Sequence, residues 1–197
     1  EEGALWQMAI FSSAVFPPSQ LWDYALRLYS DADVAAACLR LQERRALDVN
    51  LLLFCIWAAA SGRGRLSEAE LEAGIEAGAH WQAEVVAPLR HVRRYLKAPT
   101  APIDARLGGE LRRGIADGEL FAEHMELQFL NDILKRPATG SFGASERGEA
   151  AADNLAAYLG RVLDTLAPDD LADLLLVWRQ AFPEAEPRLT GLFGPHL

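Results

Sequence analysis

Residues 48–61 read D-V-N-L-L-L-F-C-I-W-A-A-A-S, and this stretch decides the fold. Ten of the twelve residues from Val49 to Ala60 are large apolar residues, aromatic residues or alanine; the two others are Asn50 and Cys55. A helix of this composition has no polar face, so the protein must surround it on all sides. It is too short to span a membrane, which takes about 20 apolar residues. Asp48 can cap its first turn. The stretch therefore predicts a buried central helix at about residues 48–61.

The rest of the chain has helical rather than strand periodicity. Leu21, Trp22, Ala25, Leu28 and Tyr29 share one face at helical spacing, and similar stripes recur up to the last apolar run, which ends at Phe182. Ser67 and Glu70 have the spacing of a capping box. No strand pattern or hairpin dipeptide occurs. We predict an all-α protein, a single bundle of about seven to nine helices around the central helix.

Prolines divide the chain into three parts. Pro17-Pro18 ends an apolar N-terminal stretch, and A-P-T-A-P at residues 98–102 is the best internal boundary. We expect residues 1–18 to form a docking segment and residues 19–98 a helical core. Residues 103–197 would supply C-terminal helices that pack on this core or on a partner subunit. Pro88, inside a helical pattern, predicts a kink or a break.

Charged residues beside an apolar stripe are expected to face solvent. On the helix predicted after Asp33, these are Arg40, Glu43 and Arg44. Between Glu119 and Leu134, a helix is expected to turn its aromatic and aliphatic side chains inward, including Phe121 and Met125. Its acidic side chains, Glu119, Glu123 and Glu126, are then expected on the exposed side.

The formal net charge is −9, which counts against a general nucleic-acid binder and against an anionic membrane surface. The acidity lies mostly in the second half, because residues 1–100 carry −2 and residues 101–197 carry −7. Cys38 and Cys55 lie in apolar helical patterns, so we expect two buried, reduced thiols. Sparse cysteine and the absence of a secretory signal pattern favour the cytoplasm.

No motif in the chain points to a specific chemistry. Glu123, His124 and Glu126 form the only local group of acids and histidine, but adjacent helical residues point about 100° apart and converge poorly on one ion. No nucleophile motif is present, and Gly62-Arg63-Gly64 lacks the strand that precedes a phosphate-binding loop. We therefore expect no catalytic residue, no cofactor and no metal, and we regard an enzyme as the less favoured class.

Two groups of residues remain candidates for binding. Trp22, Asp48, Asn50 and Trp57 could line a ligand pocket at the mouth of the central helix. Helix capping by Asp48 and a backbone contact by Asn50 are the simpler explanation of the two polar residues. The second group is a basic run that could meet an acidic partner or RNA: Arg90, Arg93, Arg94 and Lys97. A solvated helix end, or docking of the acidic half of the chain onto it, are the alternatives.

Three blocks of sequence, with their spacing, resemble a proteobacterial family known only as a domain of unknown function, DUF2390. The blocks are L-W-D-Y-A-L-R-L-Y at residues 21–29, A-C-L-R-L-Q at residues 37–42 and D-V-N-L-L-L-F-C-I-W at residues 48–57. W-x-x-E-V-V-x-P-L-R at residues 81–90 is also similar, so the resemblance covers residues 21–97. It implies an all-helical fold and transfers no activity and no catalytic residue.

The function that the sequence favours is a non-catalytic protein–protein interaction module, with a protein partner or a homodimer. Long apolar stripes, an acidic surface and the missing catalytic motifs favour it. One alternative is a small-ligand-binding protein or enzyme with a cavity near the N-terminus of the central helix. The second alternative is an RNA-associated factor that uses the basic helix face.

Overall fold

The computed structural model describes residues 17–140 and 143–185, and this part of the chain is helical with no strand. The predicted docking segment, apart from Pro17 and Pro18, lies outside the described residues. The helices are α1 (Gln20–Tyr29), α2 (Ala32–Arg45), α3 (Val49–Ala60), α4 (Glu68–Trp81), α5 (Ala87–Tyr95), α6 (Ala105–Ile133), α7 (Ala144–Val162) and α8 (Pro168–Ala181). A π-helical segment, Gln82–Val86, joins α4 to α5 in one continuous rod. If α4, the π-helical segment and α5 are counted as one helix, the described residues form seven helices. This confirms the predicted all-α bundle.

The central helix α3 is buried along its whole length, as predicted. Every residue from Val49 to Ala59 is buried. The long helix α7 packs along it, α6 covers its N-terminal part, and α1, α2 and α4 complete the enclosure. At its C-terminus the chain reverses through Gly62 and Gly64, both at φ of 81°, a left-handed conformation that costs glycine little.

An ion-pair cluster holds α2 against α8. Arg40 and Arg44 of α2 donate to the two carboxylate oxygens of Asp173, with nitrogen–oxygen distances of 2.5 and 2.6 Å. Arg45 donates to Asp170 at 2.5 Å, and both aspartates are buried. The expectation that Arg40 and Arg44 only face water was wrong, because their long side chains reach back over the edge of α8.

Pro88 does not break its helix. Proline lacks an N–H and its ring crowds the carbonyl four residues earlier, which would end a regular α-helix. Here the backbone widens instead into the π-helical segment immediately before Pro88, and the N–H of Ala87 donates to the carbonyl of Gln82, five residues back. The rod therefore continues past the proline into α5.

The faces of α6 differ from the prediction. Glu119 and Glu126 are buried and Glu123 is half-buried, whereas Met125 is 39% exposed. The interior side of α6 is formed by these acids together with Leu120, Ala122, Leu127 and Leu130. The placement of the three glutamates on the exposed side was wrong because each finds a polar partner inside the bundle, which an apolar-stripe rule cannot detect.

The α2–α8 cluster makes a testable contribution to stability. We expect Asp173→Ala to lower the free energy of unfolding by about 1–2 kcal/mol, less than the loss of a fully buried pair, because the released guanidinium groups of Arg40 and Arg44 can reach water. For a chain of this size the thermal midpoint would fall by about 3–6 °C. Asp169→Ala, at an exposed position of the same helix, serves as the control. Equal midpoints for the two variants in differential scanning calorimetry would contradict the assignment.

Candidate functional site

A buried pair of carboxyl groups joins the N-terminus of α3 to α6. Asp48 is the N-cap of α3, and its Oδ1 atom accepts from the backbone N–H groups of Asn50 at 2.9 Å and Leu51 at 3.2 Å. On α6, Glu126 is fully buried, and its Oε2 atom accepts from Asn50 Nδ2 at 2.8 Å and from Gln82 Nε2 at 2.7 Å. Asn50 therefore opens an apolar helix because its side chain bridges to the carboxyl group of Glu126.

The two remaining carboxyl oxygens face each other across a glycine. Asp48 Oδ2 and Glu126 Oε1 have no other hydrogen-bond partner, and both lie beside the position that a Cβ atom would take on Gly78. Burial, followed by the charge of Asp48 and its hydrogen bond, raises the pKa of Glu126 to about 10. Burial raises the pKa of Asp48 as well, but the hydrogen bond from Glu126 and the two backbone donors at a helix N-terminus oppose this shift and favour the ionised form of Asp48. Glu126 is therefore the protonated member of the pair, and its hydroxyl group donates a hydrogen bond to the Asp48 carboxylate.

The pair is packed tightly. A Cβ atom on Gly78 would lie 2.9 Å from Asp48 Oδ2 and 3.3 Å from Glu126 Oε1, so even a methyl group does not fit there. From α7, the hydroxyl of Tyr158 donates to the backbone carbonyl of Asp48 at 3.1 Å. The arrangement fixes three helices and the rod relative to one another.

Arg90 and Arg93 of the basic run bind acids of the same chain. Arg90 donates to Glu119 at 2.8 Å and to Glu123 at 2.9 Å, and Arg93 donates to Glu119 at 2.5 Å. The charges of these two arginines are neutralised by glutamates of α6, so they do not form a free positive surface. Docking of the acidic half of the chain onto the basic run was one of the alternatives that the sequence left open. Burial raises the pKa of Glu123 to about 7 against the opposing effect of Arg90. Arg94 is exposed on the outer side of α5, and Lys97 lies just beyond its end.

Helix α5 and the N-terminal half of α6 form an antiparallel hairpin with a poorly buried outer surface. No residue of α5 is buried, and Gly108 is the only buried residue of α6 before Glu119. Of the nine large hydrophobic side chains that are exposed in the described residues, five lie in this hairpin and its connecting segment: Val92, Tyr95, Ile103, Leu107 and Leu111. A sixth, Met125, lies further along α6. Leu107 and Leu111 are the most exposed, at 54% and 55%.

Helical geometry places Val92 and Leu111 on one side of this hairpin. On α5, Val92 directly precedes Arg93, which contacts α6. On α6, Arg112 lies seven residues, or two turns, before Glu119 and so on the same side of the helix, the side that contacts α5. Leu111 directly precedes Arg112. A step back of one residue is a rotation of about 100° in each helix. Since the helices are antiparallel, equal rotations lead to the same side of the hairpin.

The same rotation separates the apolar and basic residues of the hairpin. Leu107, Leu111, Gly114, Gly118 and Met125 follow each other at steps of four, three, four and seven residues, which is one stripe along α6. We call Val92, Tyr95, Leu107, Leu111 and Met125 the hairpin face. Arg94 and Arg113 each follow a residue of the contact line by one position, so they lie on the opposite side. The hairpin is amphipathic as a unit.

The four residues of the predicted pocket are not gathered around one cavity. Asp48 and Asn50 belong to the acid pair at the N-terminus of α3. Trp22 stacks on His124, with ring centroids 3.6 Å apart and planes 9° from parallel, and burial lowers the pKa of His124 to about 4. Trp57 lies near the other end of α3, under the guanidinium of Arg63, and lines an open cleft of about 290 Å³ that also involves Gln20 and Tyr24.

The sequence reading missed the residues that complete the acid pair: Glu126, Gln82 and Gly78. The only signal was Asn50, a polar residue in a helix without a polar face. Glu126 and Gln82 come from α6 and the rod, 76 and 32 positions away in the chain, so no spacing rule connects them to Asn50.

Among the described residues, no group of three or more histidine, cysteine, aspartate or glutamate side chains could hold a metal ion. Glu123, His124 and Glu126 instead contact Arg90, Trp22 and Asn50, respectively.

None of the described helices combines the length and the apolar character that crossing a membrane requires. Cys38 and Cys55 are buried free thiols, as predicted.

Fold and site define an all-helical bundle protein with a buried carboxyl pair and a projecting amphipathic hairpin. The chain belongs to the family described as proteins of unknown function, DUF2390, whose model matches residues 20–130, more than half of the chain. This match begins at α1 and includes both members of the acid pair and the whole hairpin. No curated protein and no solved structure matches the chain.

Gly78 tests the packing around the acid pair. Glycine to alanine within a helix ordinarily stabilises by up to about 1 kcal/mol. We expect Gly78→Ala to destabilise by about 1–3 kcal/mol instead, because the methyl group would displace a carboxyl oxygen from a dry site. Gly109→Ala, where a Cβ meets no atom within 4 Å, is the matched control and should stabilise. Urea denaturation of both variants checks this; stabilisation by both would show that the interior at Gly78 has room.

The shared proton predicts a dependence of stability on pH. Glu126 releases its proton near its ordinary pKa of 4.5 in the unfolded chain and near 10 in the folded chain. Between these values the folded chain binds the extra proton, so stability falls as pH rises, by up to about 1.4 kcal/mol per pH unit for this one group. We expect Glu126→Gln, whose amide can replace the proton as donor to Asp48, to flatten this slope.

The slope is measured as the urea midpoint from about pH 5.5 to about pH 9 for both proteins. Glu76→Gln, at an exposed position of α4, controls for the loss of one negative charge and should leave the slope unchanged. Parallel slopes for wild type and Glu126→Gln would mean that Glu126 is ionised in the folded protein.

Proposed function

We propose that this chain is a non-catalytic helical interaction module and that it binds a protein partner through the hairpin face. The observation that carries this proposal is the concentration of exposed apolar side chains on one side of the α5–α6 hairpin. Contiguous apolar surface of this kind marks interaction sites, whereas isolated exposed hydrophobic residues are ordinary.

The hairpin is built to present this surface. Its inner contacts are the ion pairs of Arg90 and Arg93 with Glu119 and Glu123, which fix α5 on α6 without using the outer apolar side chains. The bundle core around α3 is closed without Val92, Leu107 or Leu111. These side chains are therefore not needed to close the core, and a partner would account for their exposure.

The two alternative functions receive less support. The polar groups proposed for a ligand pocket, Asp48 and Asn50, are satisfied inside the bundle. RNA binding is less supported because the charges of Arg90 and Arg93 are neutralised by glutamates. The other basic side chains on that side of the hairpin include Arg94 and Arg113. The proposal includes a cytoplasmic location, which the buried free thiols Cys38 and Cys55 support.

Site-specific photocrosslinking tests the proposal. A photoreactive amino acid at position 111, on the hairpin face, should give a discrete crosslinked protein in cells that express the full chain. The same amino acid at position 113, on the basic side, should give little. The protein identified at position 111 is then purified, and its affinity for the chain is measured.

We expect Leu107→Glu to weaken that affinity at least about 30-fold, because a charge is buried in an apolar contact. Arg106→Gln, the adjacent position, changes the charge by the same amount and should retain binding. Circular dichroism should show unchanged folding, since Leu107 is more than half exposed. Equal crosslinking at positions 111 and 113, or binding that survives Leu107→Glu, would contradict the proposal.

A further inference from the structure

We propose that the occupant of the hairpin face is a second copy of this chain, so that two hairpins pack face to face as a four-helix bundle about a two-fold axis. This inference rests on the proposed function and names the partner. A two-fold contact is self-complementary: each residue meets on the partner copy the same surface that it belongs to.

The size of the face suits such a contact. Its five side chains, together with Ile103, are 39–55% exposed and present on the order of 500 Å² per copy. A standard stable interface buries roughly 800 Å² per partner, including the polar rim that surrounds the apolar part. The flanking, half-exposed residues of α5 and α6 can supply that rim. In the described part of the chain these side chains stay exposed, and a second hairpin would cover them.

Charge favours this region as the meeting point of two copies. Each chain carries a net charge of −9, so two copies repel over most of their surfaces. Residues 87–123 are less acidic than the chain as a whole: they carry seven basic and five acidic side chains, net +2, which leaves −11 for the rest of the chain. Arg94 and Arg113 lie on the side of the hairpin away from the face, so they do not confront their counterparts when two faces meet.

The backbone of α6 is accessible along the same stripe. A Cβ atom at Gly114 or Gly118 would meet no atom within 4 Å, so space outside the helix is open at both positions. Between Leu111 and Met125 the stripe therefore presents bare backbone, and a neighbouring helix can approach more closely there than over larger side chains. Leu111 of one copy can then pack into the shallow groove that the glycines leave on the other.

The test measures the mass of the full chain in solution. Multi-angle light scattering after size exclusion, and sedimentation velocity, are run at concentrations from about 1 to about 200 µM, which brackets weak and moderate dimers. The variants are Leu107→Glu and Leu111→Glu on the face, with Arg113→Gln as a control that changes the charge equally on the opposite side. We expect a dimer for wild type and for Arg113→Gln. Each leucine variant should raise the dimer dissociation constant at least about 100-fold, because the substitution occurs twice in a two-fold contact.

A second measurement identifies the contact directly. Leu111→Cys places an exposed thiol on the face, whereas Cys38 and Cys55 are buried. Under mild oxidation it should form a disulfide-linked dimer much faster than Arg113→Cys. Both cysteine variants are checked for folding by circular dichroism.

The outcomes separate this inference from the proposed function. A wild type that stays monomeric at the highest concentration overturns the second-copy proposal, while a heterologous protein crosslinked at position 111 would still support an interaction module. A wild-type dimer that persists in both leucine variants also overturns it, because the dimer contact then lies elsewhere. A monomer with no crosslink at position 111 would end both.

Discussion

A helix without a polar face must be enclosed on every side, and this requirement organises the described part of the chain. α3 satisfies it by lying at the centre, with α7 along one side and the other helices around it. Both of its ends need polar partners in the interior, because terminal N–H and carbonyl groups lack partners within the helix. Asp48 accepts from the first turn, and at the other end the N–H groups of Ser61 and Arg63 donate to the carbonyls of Trp57 and Ala58. From α7 the Asn154 amide adds a bond to the carbonyl of Cys55 at 3.0 Å. The central helix is thus apolar in its side chains but tied by hydrogen bonds to its neighbours.

Capping this helix in the interior creates the acid pair. An aspartate is a strong N-cap, but a buried carboxylate without a compensating partner is costly. A cation would be the usual partner, yet the group opposite Asp48 is another acid, Glu126. Two carboxylates in contact in a dry interior cannot both ionise, so one retains its proton and the repulsion becomes a hydrogen bond. The second oxygen of Glu126 then needs donors, which Asn50 and Gln82 supply. The place where the two carboxyl groups meet leaves no room for a side chain, and Gly78 lies there.

The sequence predicted those parts of the fold that depend on local pattern. The central helix, the cap at Asp48 and the capping box of Ser67 with Glu70 are all present, because apolar periodicity and caps are properties of neighbouring residues. Contacts between distant segments were not predictable in this way. Arg40 and Arg44 were expected in water and bind buried aspartates.

The largest error concerned α6, and its cause was physical. The position of apolar residues along a helix places acidic residues on its outer side. Glu119 and Glu126 are instead buried: Glu119 pairs with arginines of α5, and Glu126 with side chains of α3 and the rod. Of the candidate site, the sequence supplied Asp48, Asn50 and the basic run, but not the carboxyl groups that each of them binds. A single sequence does not state which distant donor meets which acceptor.

The same glutamates divide α6 into two structurally different halves. From Glu119 onward the acids of the helix bind Asn50, Gln82, Arg90 and Arg93 inside the bundle, while Met125 stays 39% exposed. Before Glu119 only Gly108 is buried, and α5, which continues the rod from α4, packs against α6. Arg90 binds two carboxylates at once, which fixes the orientation of α5 on α6. A preformed surface loses little conformational freedom on binding, so an apolar face of modest size can support a stable contact. The buried acids therefore connect the two unusual features of this protein: the charges that the core can accommodate are also the ones that position its exposed hydrophobic face.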